Sequence, residues 1–313
     1  MTNNHCGLSV VIPAYNEESS IAKTLERVLA VTNTLGLPCE VLLVNDGSKD
    51  NTKSVAEAFK DIRIISHPVN TGYGSAIKTG ILCAKYEWIG IVDADLTYEI
   101  EKLPLLIEKM NDGFDMVVAA RSNVFSHDMP FKRLMRRVLV ALVKLIIAAK
   151  IEDPNSGFRI FNRSMAMAFF PFLCNTFSFT TSITLFALGD GYFVSYVPMT
   201  YAKRDGKSKV RHFRDSLRMA QLIMQGIAFF NPLKMYLILI GLLVMLIGLP
   251  SLLMLAYGHS TLSLLFLLIG ISIWLLAGLG IHGDIVRISA SGRLERESNL
   301  VANYLKSRDG DDK

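Results

Sequence analysis

Two apolar runs near the end of the chain, Met235 to Tyr257 and Leu262 to Ile281, contain no charged residue. At about 1.5 Å per helical residue each is long enough to cross a hydrocarbon core of about 30 Å. Buried helices of a soluble core are a poor fit to that length and polarity. The pair therefore reads as a transmembrane hairpin turning at Gly258-His259-Ser260, and the positive mean hydropathy of +0.35 is not spread evenly along the chain.

Charge sets the expected orientation. Lys and Arg crowd the approach to the first run, Arg287, Arg293 and Arg296 follow the second, and the turn carries none. By the positive-inside rule both flanks face the cytoplasm. Met1 to Gly7 is polar and lacks the regions of a signal peptide, so the soluble part and both termini are expected at the cytoplasmic face of a membrane. His282 and Asp284 read as interfacial residues rather than a proton relay. Cys6, Cys39, Cys83 and Cys174 lie far apart without a CxxC pair, which argues against zinc and against a disulfide framework. No nucleic-acid recognition fold is apparent, so nucleic acid is not an expected partner. A homo-oligomer is compatible with two lipid-facing spans.

Ahead of the hairpin, apolar runs at Leu8 to Pro13, Glu40 to Asn45, Arg63 to Ile65, Trp88 to Asp93 and Met116 to Ala120 read as strands. They alternate with helical patterns such as Ile21, Leu25, Val28 and Leu29, which predicts a mostly parallel, doubly wound sheet. The fourth run leads into Asp93-Ala94-Asp95. On a strand, acids at i and i+2 share one side, and the carboxyl ends of such strands are where open α/β sheets bind ligands. Oxygen ligands with open positions suit Mg²⁺ or Mn²⁺ held together with substrate phosphates. The competing reading is a turn that caps the next helix. Glu17 and Asp46 also follow strands, and would converge on the same edge. Asn70 to Ala76 is a glycine-containing loop, alone a weak phosphate signal.

Val11-Ile12-Pro13-Ala14-Tyr15-Asn16-Glu17, Asp46-Gly47-Ser48 with Asp50-Asn51-Thr52, and Asp93-Ala94-Asp95 together resemble family 2 glycosyltransferases with the GT-A fold. Ala120-Arg121-Ser122, Asp153-Pro154-Asn155-Ser156-Gly157-Phe158-Arg159 and Arg204-Asp205-Gly206-Lys207-Ser208-Lys209 look like the dolichol-phosphate-mannose-synthase branch. The similarity runs from about Leu8 to Arg218. It implies that Pro13, Ala14, Tyr15, Glu17 and Asp46 hold a UDP- or GDP-linked sugar, with Ala94, Arg204 and Lys209 beside it. It also implies that Asp93 and Asp95 hold the metal and diphosphate. Many relatives carry Gln at the position of Thr97, so a metal contact from Thr97 itself is in doubt.

The implied reaction is one inverting displacement that moves a sugar, glucose or mannose, onto a polyprenyl phosphate, undecaprenyl or dolichyl. Arg121, with Arg133, Arg136 and Arg137, would clamp the lipid phosphate, because guanidinium pairs with phosphate in a bidentate way. A phosphate acceptor is already anionic and needs no strong base; Asp153 is the candidate for positioning or weak base work, and Arg159 reads as a structural salt bridge. Residues 131–150 and 211–231, basic first and apolar later, suit helices lying in the membrane interface. The expected organisation is thus a catalytic domain at 1–210, a juxtamembrane helix at 211–231, the hairpin at 232–286 and a cytoplasmic tail at 287–313. A processive polysaccharide synthase would be expected to show a Gln-x-x-Arg-Trp segment and more spans, and neither is present, Trp occurring only at positions 88 and 274. A glycosyltransferase acting on a lipid hydroxyl and a non-catalytic nucleotide-binding scaffold stay open.

Overall fold

The computed structural model describes residues 7–122, 152–200 and 232–290. The chain forms two compact units, Met1–Asp215 with Arg293–Lys313, and Ser216–Gly292.

In the first unit seven strands form one sheet, in the order β3-β2-β1-β4-β6-β5-β7. They are β1 (Leu8–Ala14), β2 (Cys39–Asn45), β3 (Arg63–Ser66), β4 (Trp88–Ile91), β5 (Met116–Arg121), β6 (Arg159–Asn162) and β7 (Val194–Met199). Strands β1, β2, β3 and β4 are mutually parallel, β6 runs antiparallel to β4 and β5, and β7 is parallel to β5. The five strands read from the sequence are all present, and β6 and β7 are additions. Helices α1 (Ile21–Thr32), α2 (Thr52–Ala56), α3 (Tyr73–Cys83) and α4 (Leu103–Asn111) connect the parallel strands, while α5 (Arg163–Ala168) and α6 (Phe179–Gly189) lie between β6 and β7. The periodic residues Ile21, Leu25 and Val28 of α1 are fully buried.

One topological detail opens the site. The chain passes from β3 at one edge back to β4 beside β1, so the strand order reverses between β1 and β4, where a crevice forms outside the carboxyl ends. Pro13 fits this place. The Val11 carbonyl accepts the Val92 N–H, so Pro13, two residues on, faces the same side of β1. Strand β4 has ended there, at Ile91, and the missing proline N–H leaves no ladder bond unmade.

The second unit is a helical hairpin. Helix α7 (Pro232–Leu243), a π turn at Val244–Gly248 and α8 (Leu249–Ala256) form its first arm, and α9 (Ser260–Ala290) its second. The π turn precedes Pro250, which cannot donate to the carbonyl four residues back. The Trp274 indole donates to the Leu239 carbonyl at 2.8 Å, Ser263 Oγ donates to the Ser251 carbonyl at 2.6 Å, and Gly270 lets Ile247 approach its backbone. Leu239–Ala256 and Ser260–Gly283 are long and apolar enough to cross a membrane, and only 11% and 6% of their residues are buried. Apolar side chains turned outward in this way match lipid-facing spans rather than soluble core helices. Helix α9 continues to Ala290, so the expected start of a tail at residue 287 falls inside it.

Candidate functional site

The loops after β1 and β2 are joined by a set of mutual hydrogen bonds. Asn16, in the left-handed region at φ 52°, a conformation Asn tolerates, donates its N–H to Ser48 Oγ and accepts the Lys49 N–H. Glu17 N–H donates to Thr52 Oγ1, Glu18 N–H to Asp50, and Asn51 N–H to the Glu18 carboxylate. In register, Pro13 lies beside Val44 and Ala14 beside Asn45, and Asp46 N–H donates to the Ala14 carbonyl. Pro13, Ala14, Tyr15, Glu17 and Asp46 therefore lie along one edge of the sheet.

Asp46 is nearly fully buried and its carboxylate is richly supplied. Oδ1 accepts His67 Nδ1, Thr71 N–H and Thr71 Oγ1, and Oδ2 accepts Gly72 N–H, all within 2.9 Å. Burial pushes its carboxyl up, but these donors outweigh it and hold it below the ordinary carboxylate value. Gly47, at φ 68°, presses on the Val69 backbone, so the β2 loop and the 67–72 loop pack without room for a side chain. Within the glycine loop, Thr71 and Gly72 N–H donate to Asp46 and Ser75 N–H donates to the Asn175 carbonyl.

The acidic pair is held by a turn and not by the strand pleat, because β4 stops two residues before Asp93. Thr24 Oγ1 of α1 donates to the Ala94 carbonyl at 3.1 Å from behind the turn. Leu96 takes φ 61°, which folds Thr97 back so that its hydroxyl and N–H both reach Asp95 Oδ1, at 2.6 and 3.3 Å. Tyr73, at the start of α3, donates its hydroxyl to Asp93 Oδ1 at 2.7 Å. Burial, with the Asp93 charge beside it, pushes the Tyr73 phenol well above its ordinary value, so it stays a donor. On the other side Gly157 lies against Asp93: a Cβ there would fall 2.1 Å from Oδ2.

Arg121 and Asp153 meet. Nε and Nη2 fork onto the two carboxylate oxygens at 2.6 and 2.8 Å, and Arg121 N–H adds a third bond at 3.2 Å. Burial pushes the Asp153 carboxyl up, but the Arg121 hydrogen bonds and charge, with help from Arg159, bring it below its ordinary value. A carboxyl so held is a poor base at neutral pH. Arg159 is structural, as expected, but its hydrogen bonds among the described residues go to neutral groups: its fully buried guanidinium donates to the carbonyls of Ser156, Pro154 and Thr180 and to Thr184 Oγ1. It fastens the Pro154–Ser156 turn to α6, and Tyr98 Oη takes the Gly157 N–H at 2.9 Å.

Arg133, Arg136, Arg137, Arg204 and Lys209, and the expected interfacial helices at 131–150 and 211–231, lie outside the described residues. Among the described residues no group of three or more His, Cys, Asp or Glu is placed to hold a metal. The donor set fits a hard divalent cation all the same. Two carboxylates at a crevice mouth leave positions for phosphate oxygens, and Mg²⁺ and Mn²⁺ bind in that way. Sequence reasoning missed Tyr73 and Gly157; the first lies in a loop read for phosphate, the second in a motif read for Asp153 and Arg159.

A glycosyl transferase family 2 model matches residues 9–171. A dolichyl-phosphate beta-glucosyltransferase of Dictyostelium discoideum is 30% identical over 241 residues, 70% of this chain and 73% of that protein. An undecaprenyl-phosphate 4-deoxy-4-formamido-L-arabinose transferase of Pectobacterium atrosepticum is 34% identical over 185 residues, 55% of this chain, which spans about half (56%) of that protein. The structure is similar to glucosyl-3-phosphoglycerate synthase of Mycobacterium tuberculosis in complex with UDP, at TM-score 0.58 and 18% identity, covering 71% of this chain and 80% of that one. The same enzyme with Mn²⁺, UDP and glucosyl-3-phosphoglycerate gives TM-score 0.53 and 21% identity, with 71% and 78% covered. These likenesses establish a GT-A fold.

Proposed function

We infer that this chain, which belongs to glycosyl transferase family 2, moves one sugar from a nucleotide-sugar to a polyprenyl phosphate at a membrane. The observation that carries the reading is the relatives' shared chemistry: both are named for transfer to a polyprenyl phosphate, and the first matches 241 residues, well beyond the family model. The two exposed apolar helices support a lipid acceptor independently.

Glucose is the first candidate sugar, supported by the name of the first relative, with mannose next. Its β linkage supports an inverting displacement. Asp93 and Asp95 would hold the divalent cation, which neutralises charge on the leaving diphosphate; a structural neighbour holds Mn²⁺ with UDP. Pro13, Ala14, Tyr15, Glu17 and Asp46 form the nucleotide edge, with Ala94 behind the diphosphate. Arg204 and Lys209 supply further cations to it. Arg121 holds the acceptor phosphate: a guanidinium carries five N–H donors in a plane, so a fork onto Asp153 and a phosphate contact are compatible. Arg133, Arg136 and Arg137 add to that clamp. Asp153 positions Arg121 rather than taking a proton, which the ionised acceptor does not need to lose. The basic flanks of the hairpin support a cytoplasmic catalytic domain.

The test uses detergent-solubilised full chain with labelled UDP- and GDP-sugars, offered polyprenyl phosphate or the corresponding polyprenol, with Mg²⁺, Mn²⁺ or EDTA. A chloroform-soluble product formed only from the phosphate, from one donor and only with metal, is expected. Transfer to polyprenol instead establishes a lipid-hydroxyl enzyme. Nucleotide binding without any product leaves a scaffold.

A further inference from the structure

We propose that Tyr73 and Thr97 are a matched pair of positioning residues, each using its hydroxyl to fix one carboxylate of the Asp93 and Asp95 pair toward a divalent cation. The proposal rests on the reading of these acids as cation ligands. Its observation is a correspondence between two contacts from unrelated elements. Tyr73 Oη donates to Asp93 Oδ1 at 2.7 Å, and Thr97 Oγ1 donates to Asp95 Oδ1 at 2.6 Å. Both are near the 2.5 to 2.7 Å range of about the strongest hydroxyl-to-carboxylate bonds.

Such donors matter because the last torsion of an Asp side chain is broad, and two like charges at one turn would otherwise swing apart. Each hydroxyl is itself fixed. Thr97 is 2% exposed, its β-branched side chain is stiff, and the left-handed Leu96 sets its direction. Tyr73 stacks on Phe177 with ring centroids 5.4 Å apart. The glycines on either side of Tyr73, Gly72 and Gly74, lie so close to the Asn175 and Cys174 carbonyls that neither admits a Cβ. The Lys78 ammonium holds the same segment through Asn175 Oδ1 at 3.0 Å. Thr97 thus serves the cation through Asp95, and the glycine loop serves it through Tyr73. With no third acid placed to help among the described residues, the orientation of these two sets how tightly a cation is held.

The test measures Mn²⁺ binding by electron paramagnetic resonance on the solubilised full chain, with UDP or GDP present. Tyr73→Phe and Thr97→Val should each raise the Mn²⁺ dissociation constant about 10- to 100-fold, the usual loss when a ligand's orienting partner is removed. Thr97→Ser, which keeps the hydroxyl, should stay within about threefold of the parent. Sugar transfer by the Phe and Val variants should recover as Mn²⁺ is raised, which a general packing defect would not allow. Parent-like Mn²⁺ affinity in both variants, or losses that excess Mn²⁺ does not repair, overturn the positioning role while leaving the cation site in place. A parent chain that binds nucleotide but no Mn²⁺ overturns the cation reading itself.

Discussion

Gly157→Ala is predicted to cost about 100-fold in turnover although it adds a single methyl group. The new Cβ would lie 2.1 Å from Asp93 Oδ2, 2.7 Å from Cγ and 2.8 Å from Oδ1. Comfortable contact lies near about 3.5 Å, so one partner must move by more than about 1 Å. The glycine backbone resists. Its N–H is on Tyr98 Oη at 2.9 Å, the Ser156 carbonyl before it is held by Arg159 Nε at 3.0 Å, and β6 begins two residues later. The Asp93 carboxylate is the softer partner, and in retreating it gives up its bond from Tyr73. A misplacement of about 1 Å at a reacting centre costs about 100-fold, or about 2.7 kcal/mol of barrier. The packing strain should remove a further 1 to 3 kcal/mol, roughly, from stability. Initial rates of labelled transfer at saturating donor and acceptor, beside thermal unfolding of the same preparation, measure both. A folded Gly157→Ala enzyme that turns over within about threefold of the parent would refute the argument that Asp93 works from where this turn places it.

Arg159→Met should lower the unfolding free energy by at least about 3 kcal/mol, because three carbonyls and the Thr184 hydroxyl lose their donor inside the core; denaturant titration in detergent reads this, and a loss under about 1 kcal/mol would contradict it. Arg121→Ala should raise the KM for polyprenyl phosphate far more than that for the nucleotide-sugar, and an equal rise in both would remove Arg121 from the acceptor site. Asp46 and Asp153 are both held below the ordinary carboxylate value of about 3.9. The folded form therefore binds protons less readily than the unfolded one, so the stability they give is complete above about pH 5 and is lost as pH falls through and below about 4. Unfolding temperatures should be flat from neutral pH to about 5 and fall in acid; a decline beginning near neutrality would point to other groups.

The strands legible in the sequence were those with continuous apolar runs, β1, β2, β4 and β5, together with short β3, since strands buried on both faces carry that signature. Strand β6 has four residues and opens with a buried Arg159, whose charge is satisfied by carbonyls no sequence pattern announces. Strand β7 sits at the sheet edge, is only half-buried and contains Pro198, all of which blunt the signal. At the site, Asp93 and Asp95 were found for a reason the structure replaces: the turn clamped by Thr24, Tyr73 and Thr97 brings the acids to the crevice, not the alternation of a strand. Arg121 and Asp153 were both singled out, but their fork spans 32 positions and could not be read from spacing. Tyr73 reaches Asp93 by a hydrogen bond and Gly157 by close packing, each from a separate element, which one sequence does not reveal.

The proposed role of Asp93 and Asp95 is to form the centre of sugar transfer to a lipid phosphate. Its most direct test is formation of polyprenyl-phosphate sugar by Asp95→Asn and the parent chain, side by side in the same lipid vesicles with saturating Mn²⁺ and the preferred donor. The variant is expected to keep its fold and still bind nucleotide, but to make no product above the EDTA control. Product at a rate near the parent's would move the reacting centre away from this turn.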